Sequence, residues 1–207
     1  MYTVLRIGAG GALPLFEAHL RRLGEAARAP LQTFARGAVP GVYRVWWTAA
    51  GLETEARGPS RLVEGLPARL AVSPFAGQRG RFAKPPSPSP YDAVRTAGVA
   101  TLLTSADGLE LYESCVAALV AWDGRELVLA PTEAPGVASV AEAVVAGALP
   151  HRRAPLRADA DWPLLLVNAV VGTCAVSVSG RGPFPSRVRA QVDALFNPPP
   201  AGAPPGA

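Results

Sequence analysis

Apolar and polar residues alternate over positions 2–7, where β-branched and aromatic side chains also collect. Past a glycine-rich turn at 8–11 the spacing becomes helical over 15–28, through Leu15, Ala18, Leu20 and Leu23. Alternation returns over 41–48, with 52–56 as its hairpin partner and 68–74 as a further short strand. These segments predict a small, mostly antiparallel sheet carrying one helix. Between 75 and 90 the chain turns to Gly, Arg, Ser and Pro and ends in PPSPSP, which favours extended polyproline geometry and excludes helix interior. That stretch is predicted to link two halves.

The second half predicts a short helix at 91–97, then strands at 100–105 and 109–112 joined by a turn at 106–108, the second strand running into Glu113. A hairpin of 117–123 and 126–130 folds across Asp123-Gly124. A stretch over 135–148 that is helical after Gly136, buried strands at 164–167 and 175–178, and a helix over 186–196 follow, and the Pro-rich run from 197 predicts a disordered tail. The expected organisation is a small α+β domain at 1–80, a linker at 81–90, a larger domain at 91–196 and a tail at 197–207.

Composition changes this picture little. With 207 residues, 49% hydrophobic and 17% charged, the chain can build a substantial core, and its formal charge of +4 is spread without a long run of one sign. The densest basic stretch, 69–84, has few aromatic residues beyond Phe75 and Phe82 on which bases could stack, so no nucleic-acid partner is expected. The amino terminus does not read as a leader and no apolar run reaches the length of a bilayer span, which predicts a cytoplasmic protein with no membrane partner. Cys115 and Cys174 stand far apart among small apolar residues and read as buried free thiols. His19 and His151 stand alone, and no metal is expected.

One residue is out of keeping with the rest. Lys and Arg total 20, and Lys84 is the single lysine among them. Arg supplies charge and a hydrogen-bond fork but stays protonated, so chemistry that needs a nucleophilic amine must use lysine. Four further stretches accompany it: LFEAHLRRL at 15–23, Tyr91-Asp92 seven residues after the lysine, LLTSADGLELYESCVAALVAWDG at 102–124, and APTEAPGVASVAEAVV at 130–145. A fifth, LLLVNAVVGTCAV at 164–176, closes the set.

In this order the stretches resemble the class IV, or fold-type IV, pyridoxal-phosphate enzymes, which include branched-chain and D-amino-acid aminotransferases and aminodeoxychorismate lyase. The resemblance runs to about Phe196. It implies an α+β, two-domain fold-type IV enzyme, with a small antiparallel-sheet domain and a larger, mixed, β-barrel-like domain with helices. It also implies pyridoxal 5'-phosphate as cofactor, a small-molecule amino substrate and a homodimer.

Residue by residue, the resemblance puts Lys84 in Schiff-base linkage to the cofactor, Arg22 on its phosphate and Glu113 against its pyridine nitrogen. Val137, Ala138 and Ala169 would offer backbone donors to the phosphate, as a helix N-terminus can. The family's Arg after the Gly-Val turn is Ser139 here, Asn168-Ala169 lacks a side-chain hydroxyl, and the span from Arg22 to Lys84 is short. The Glu-Ser-Cys-Val-Ala-Ala turn and Asn168-Ala169 lie closer to the lyase branch, which releases pyruvate from 4-amino-4-deoxychorismate to leave 4-aminobenzoate. A branched-chain or D-amino-acid aminotransferase is the alternative, as is a degenerate relative without catalysis. Arg6 and Arg44 are candidates for meeting substrate carboxylates.

Overall fold

The structure, a computed structural model, describes residues 2–58, 62–83 and 89–197. Lys84 and the Pro-rich run after it, and the tail from 198 onward, lie outside the described residues.

The chain opens on β1 (Tyr2–Ile7), α1 (Phe16–Leu23) and α2 (Arg28–Gly37), followed by the hairpin of β2 (Gly41–Thr48) and β3 (Gly51–Arg57). These strands form an antiparallel sheet in the order β1-β2-β3. Leu5, Ile7 and Val45 close a core beneath the sheet with Leu20, Leu23, Leu31 and Ala35 from the two helices. The single helix expected over 15–28 is cut at Gly24, whose φ of 98° lies outside helical space. The chain re-enters a second helix that the sequence reading did not anticipate. Pro30 falls in the first turn of α2, where a missing N–H costs nothing.

Next come β4 (Leu66–Val72), β5 (Arg81–Phe82), α3 (Pro90–Val94), β6 (Ala100–Thr104), β7 (Glu110–Ser114), β8 (Ala118–Trp122) and β9 (Leu127–Leu129). The remaining elements are β10 (Gly136–Val137), α4 (Val140–Ala148), β11 (His151–Arg153), β12 (Leu156–Arg157), β13 (Leu164–Asn168), β14 (Gly172–Ser177) and α5 (Ser186–Phe196). Nine of these strands form one curled mixed sheet in the order β11-β9-β8-β13-β14-β4-β6-β7-β12. The described architecture is therefore α+β, with a small antiparallel sheet, a large mixed sheet and five α-helices.

Alternate residues of the central strands serve two cores, so these strands read as continuous apolar runs. Leu119, Ala121, Leu164 and Leu166 face the inside of the curl with Leu102, Leu111 and Leu156. Ala118, Val120, Leu165 and Val167 face outward against α4 and α5, where Val145, Val192 and Phe196 meet them.

Two further elements depart from expectation. The strand expected at 68–74 in the small sheet is β4 of the large one, parallel to both β14 and β6. The helix expected after Gly136 begins only at Val140, because Gly136–Val137 is extended and pairs in parallel with Arg81–Phe82. The described part of the linker is correspondingly ordered: the Phe75 ring packs against those of Phe82 and Tyr91 at 4.6 and 5.1 Å. No described helix is long and apolar enough to cross a membrane. Cys115 and Cys174 are free and buried.

Candidate functional site

A cavity of 460 Å³ lies between the small sheet and the large one. Its small-sheet wall carries Tyr2, Arg22, Arg44 and Arg57; its other wall carries Tyr91, Glu113, Val137, the start of α4 and the turn after β13.

Glu113 reaches this cavity through an irregularity. On β6, Leu102 faces the inside of the curl and Leu103 faces outward, against Tyr91 and Cys115. The register shifts between Leu103 and Thr104, so that Glu113 pairs with Leu103 and Leu111 with Thr104, leaving Tyr112 as the extra residue. Such a bulge re-aims the side chains beyond it. Without it, Glu113 would share the inward face of Leu111; with it, the carboxylate points outward to the cavity.

The carboxylate is 5% exposed. The Tyr91 hydroxyl donates to Oε1, and the Val137 N–H reaches Oε2 at 3.0 Å and Oε1 at 3.2 Å. Burial pushes Glu113 up to about 7, against the opposing pull of Tyr91, the Val137 N–H and Arg81. Tyr91 is fixed in turn by α3. Pro90 occupies its first turn, and the Ser89 N–H donates to Asp92 Oδ2 at 2.8 Å. Burial and the neighbouring Glu113 raise the Tyr91 phenol, so it stays a donor.

Arg22 projects from α1 into the other end of the cavity. Burial lowers its pKa, the Tyr2 phenol being the acidic group that offsets this, and among the described residues no carboxylate forms an ion pair with it. One turn earlier, His19 is fully buried and pins α1 to β1 through Nδ1 and Thr3 Oγ1 at 2.9 Å. Its Nε2 has no partner among the described residues, and burial, then the charge of Arg22, lower it to about 4. Helix α1 packs against α4, whose first residues Val140 and Ala141 line the same cavity. N–H groups in a first turn have no intrahelical acceptor, and Ser139 Oγ takes only that of Glu142, at 3.3 Å. A guanidinium with no carboxylate partner among the described residues, beside such a helix start, fits a phosphate-sized anion.

Of the six residues singled out from the sequence, Arg22, Glu113, Val137 and Ala169 line this one cavity. Lys84 lies outside the described residues, bracketed by Phe82, which pairs with Val137, and by Ser89 on the cavity wall. Ala138 does not line the cavity: its N–H donates to the Phe82 carbonyl at 2.9 Å. The Val137 amide is likewise engaged, on Glu113. Arg44 lines the cavity, with its ring neighbours Tyr2 and Trp46 at 5.4 and 5.6 Å and its Nε buried without a partner among the described residues. Arg6 is elsewhere, donating to the Phe196 carbonyl at 3.3 Å and Asn197 Oδ1 at 2.9 Å beyond α5.

Sequence reasoning missed the bond from Tyr91 to Glu113 and the cavity positions of Arg57 and Arg95. Tyr91 carried a usable signal, a lone aromatic residue behind a Ser-Pro helix start. The arginines carried none among so many others.

Solved structures of similar fold follow from this geometry. 4-Amino-4-deoxychorismate lyase from Pseudomonas aeruginosa superposes with a TM-score of 0.66 at 18% identity, over 95% of this chain and 89% of that one. A hypothetical aminotransferase from Mycobacterium tuberculosis in its PLP-bound form gives 0.63 at 19% identity, over 95% and 88%. The form of that protein bound to α-ketoglutarate and PMP gives 0.66 at 18% identity, over 95% and 87%. At such identities the likeness establishes the fold, which is the one the sequence resemblance implied. No protein-family model matches the sequence, and no curated protein sequence matches it.

Proposed function

We propose that the protein is a pyridoxal-phosphate-dependent enzyme of the lyase or aminotransferase kind, acting on a small amino substrate. The observation that carries this reading is the pairing, in one cavity, of a buried carboxylate, Glu113, with a guanidinium that has no carboxylate partner among the described residues, Arg22. Arg22 and the first-turn amides of α4 suit the phosphate, with the backbone at Ala169 beside them. Glu113 suits the pyridine nitrogen, holding a proton there, and Tyr91 keeps the carboxylate turned towards it. Lys84 would hold the cofactor covalently.

Pyridoxal phosphate, when bound, supplies an electron sink for the pair left behind as a bond at the substrate carbon breaks. The Lys84 amine takes up and returns the proton at that carbon, which requires it to be neutral for part of the cycle. In an aminotransferase the amino group leaves the substrate as a keto acid forms; in the lyase reaction pyruvate leaves and the ring becomes aromatic. Ser139 offers no charge and Ala169 no hydroxyl, so phosphate affinity rests mainly on Arg22 and amides.

Between the two reactions we favour aminodeoxychorismate lyase. Arg44, Arg57 and Arg95 line the cavity beyond Glu113, the first two sharing Glu55 and the third pairing with Asp92, so that three cations meet two carboxylates. A cationic lining suits a substrate bearing more than one carboxylate, such as 4-amino-4-deoxychorismate, better than a branched aliphatic side chain. Arg44, whose Nη1 donates to Glu55 at 3.3 Å, is the residue we assign to one of them.

The test is an absorbance spectrum with added pyridoxal phosphate for the wild type and Lys84→Ala. A visible band that borohydride bleaches and the variant lacks is expected. Its absence at saturating cofactor would leave the chain a non-catalytic relative of these enzymes. Pyruvate release from 4-amino-4-deoxychorismate, assayed beside amino transfer to a keto acid, then separates lyase from aminotransferase.

A further inference from the structure

Behind Glu113 lies a layer of charge that the reaction above does not use. Arg81 on β5 and Arg153 on β11 both pair with Glu142 on α4, at 3.1 and 2.9 Å. Arg153 also donates to the Ala130 carbonyl at 2.7 Å. Glu142 is buried and the Arg81 side chain is 13% exposed, so two cations share one anion where water screens poorly. Arg81 Nε is buried with no partner among the described residues.

Glu133 acts on Arg153, and the further anion that faces Arg81 is Glu113. Gly136 separates the two: a Cβ built there would lie 2.4 Å from Arg81 Nη1 and 3.2 Å from the Cδ and Oε1 of Glu113. Both groups crowd one point. They therefore stand within about 6 Å of each other, the range in which a cation favours the charged form of a carboxylate. The same β5·β10 pairing that sets this spacing also aims the Val137 N–H at the carboxylate.

We propose that Arg81 is a positioning residue for the reaction above: its charge, divided between Glu142 and Glu113 across Gly136, favours the ionised form of Glu113 against its burial, where a pyridine nitrogen is to be met. The role rests on the reading of Glu113 given under the proposed function. Glu113 is faced by Tyr91 from α3, Arg81 from β5, the Val137 N–H from β10 and Glu142 from α4, with Cys115 two residues on, just past the end of β7. Tyr91, Val137 and Arg81 favour its anion, Glu142 disfavours it, and Cys115 is neutral because burial pushes its thiol up to about 11. Among the described residues Arg81 is thus the cation that faces Glu113.

A purely structural Arg81 would tie β5 to α4 and leave the titration of Glu113 alone. Titration of the Glu113 Cδ signal in protein labelled with ¹³C-glutamate, assigned by its loss in Glu113→Gln, separates the two. The wild-type midpoint is expected near neutrality. In Arg81→Met it should rise by at least about one pH unit, in Arg81→Lys it should stay near wild type, and in Glu142→Gln, which frees Arg81 for Glu113, it should fall. Equal midpoints in wild type and Arg81→Met would overturn the proposal. Should Arg81→Met not fold, a midpoint in Glu142→Gln that is unmoved or raised overturns it equally. The titration needs no bound cofactor, so a missing shift removes the role of Arg81 alone, whereas a missing visible band removes the reading of Lys84 and Glu113 beneath it.

Discussion

Glu113 is held at some cost to the fold, and the sign of that cost can be read as a pH dependence. Its folded pKa, about 7, lies above the ordinary 4.5. The unfolded chain therefore gives up the proton first: stability is full below about pH 4.5 and is lost as pH rises through 7, by about 3 kcal/mol in all. Glu113→Gln cannot ionise and should unfold at higher urea than wild type at pH 8.5, with the gap closing by pH 5. A gap of equal size at both pH values would refute the buried, strained carboxylate. The acid itself was legible in the sequence from the order of its neighbours. Its partners were not, since Tyr91 lies 22 residues away and Arg81 is one arginine among many.

At the level of elements, the strands at 100–104 and 110–114 were readable from alternation, but their register was not, because pairing belongs to two segments at once. The same limit hid the destination of β4, whose parallel neighbours are set by crossovers rather than by its own residues. The helix was expected directly after Gly136 because the apolar spacing there runs on smoothly; what keeps Gly136–Val137 extended is the ladder to Arg81–Phe82. Gly136 is the tight point of that ladder. Gly136→Ala should force Arg81 and Glu113 apart, costing about 1–3 kcal/mol of stability as overpacking usually does. It should also weaken pyridoxal-phosphate binding in a fluorescence titration, and wild-type affinity in a stable Gly136→Ala variant would show that the close approach at Gly136 serves packing alone.

On the scale of the whole molecule, the cavity draws one wall from each sheet, and Arg22 on one side faces the start of α4 on the other. An anion bound between them should therefore stabilise the assembled fold by mass action. Inorganic phosphate is expected to raise the melting temperature of the wild type in a dose-dependent way and to do so much less in Arg22→Met; equal shifts in both would place the anion elsewhere. The formal charge of +4 told nothing of this arrangement, since charge summed over a chain is blind to where it gathers. The order of the short stretches along the chain was the legible part, and it sufficed for the fold. Where each amide points was beyond it: Val137 and Ala138 were assigned to a phosphate, yet their N–H groups go to Glu113 and Phe82.

The bulge at Tyr112 shows how little chemistry can be needed to direct a functional group. Nothing about the tyrosine side chain turns Glu113 outward; it packs with the inner core, as a leucine could. What matters is that one residue stands uncounted between Leu111 and Glu113 in the pairing with β6. The address of the acid is thus written in arithmetic, as an odd step in an even rhythm, and composition leaves no trace of it.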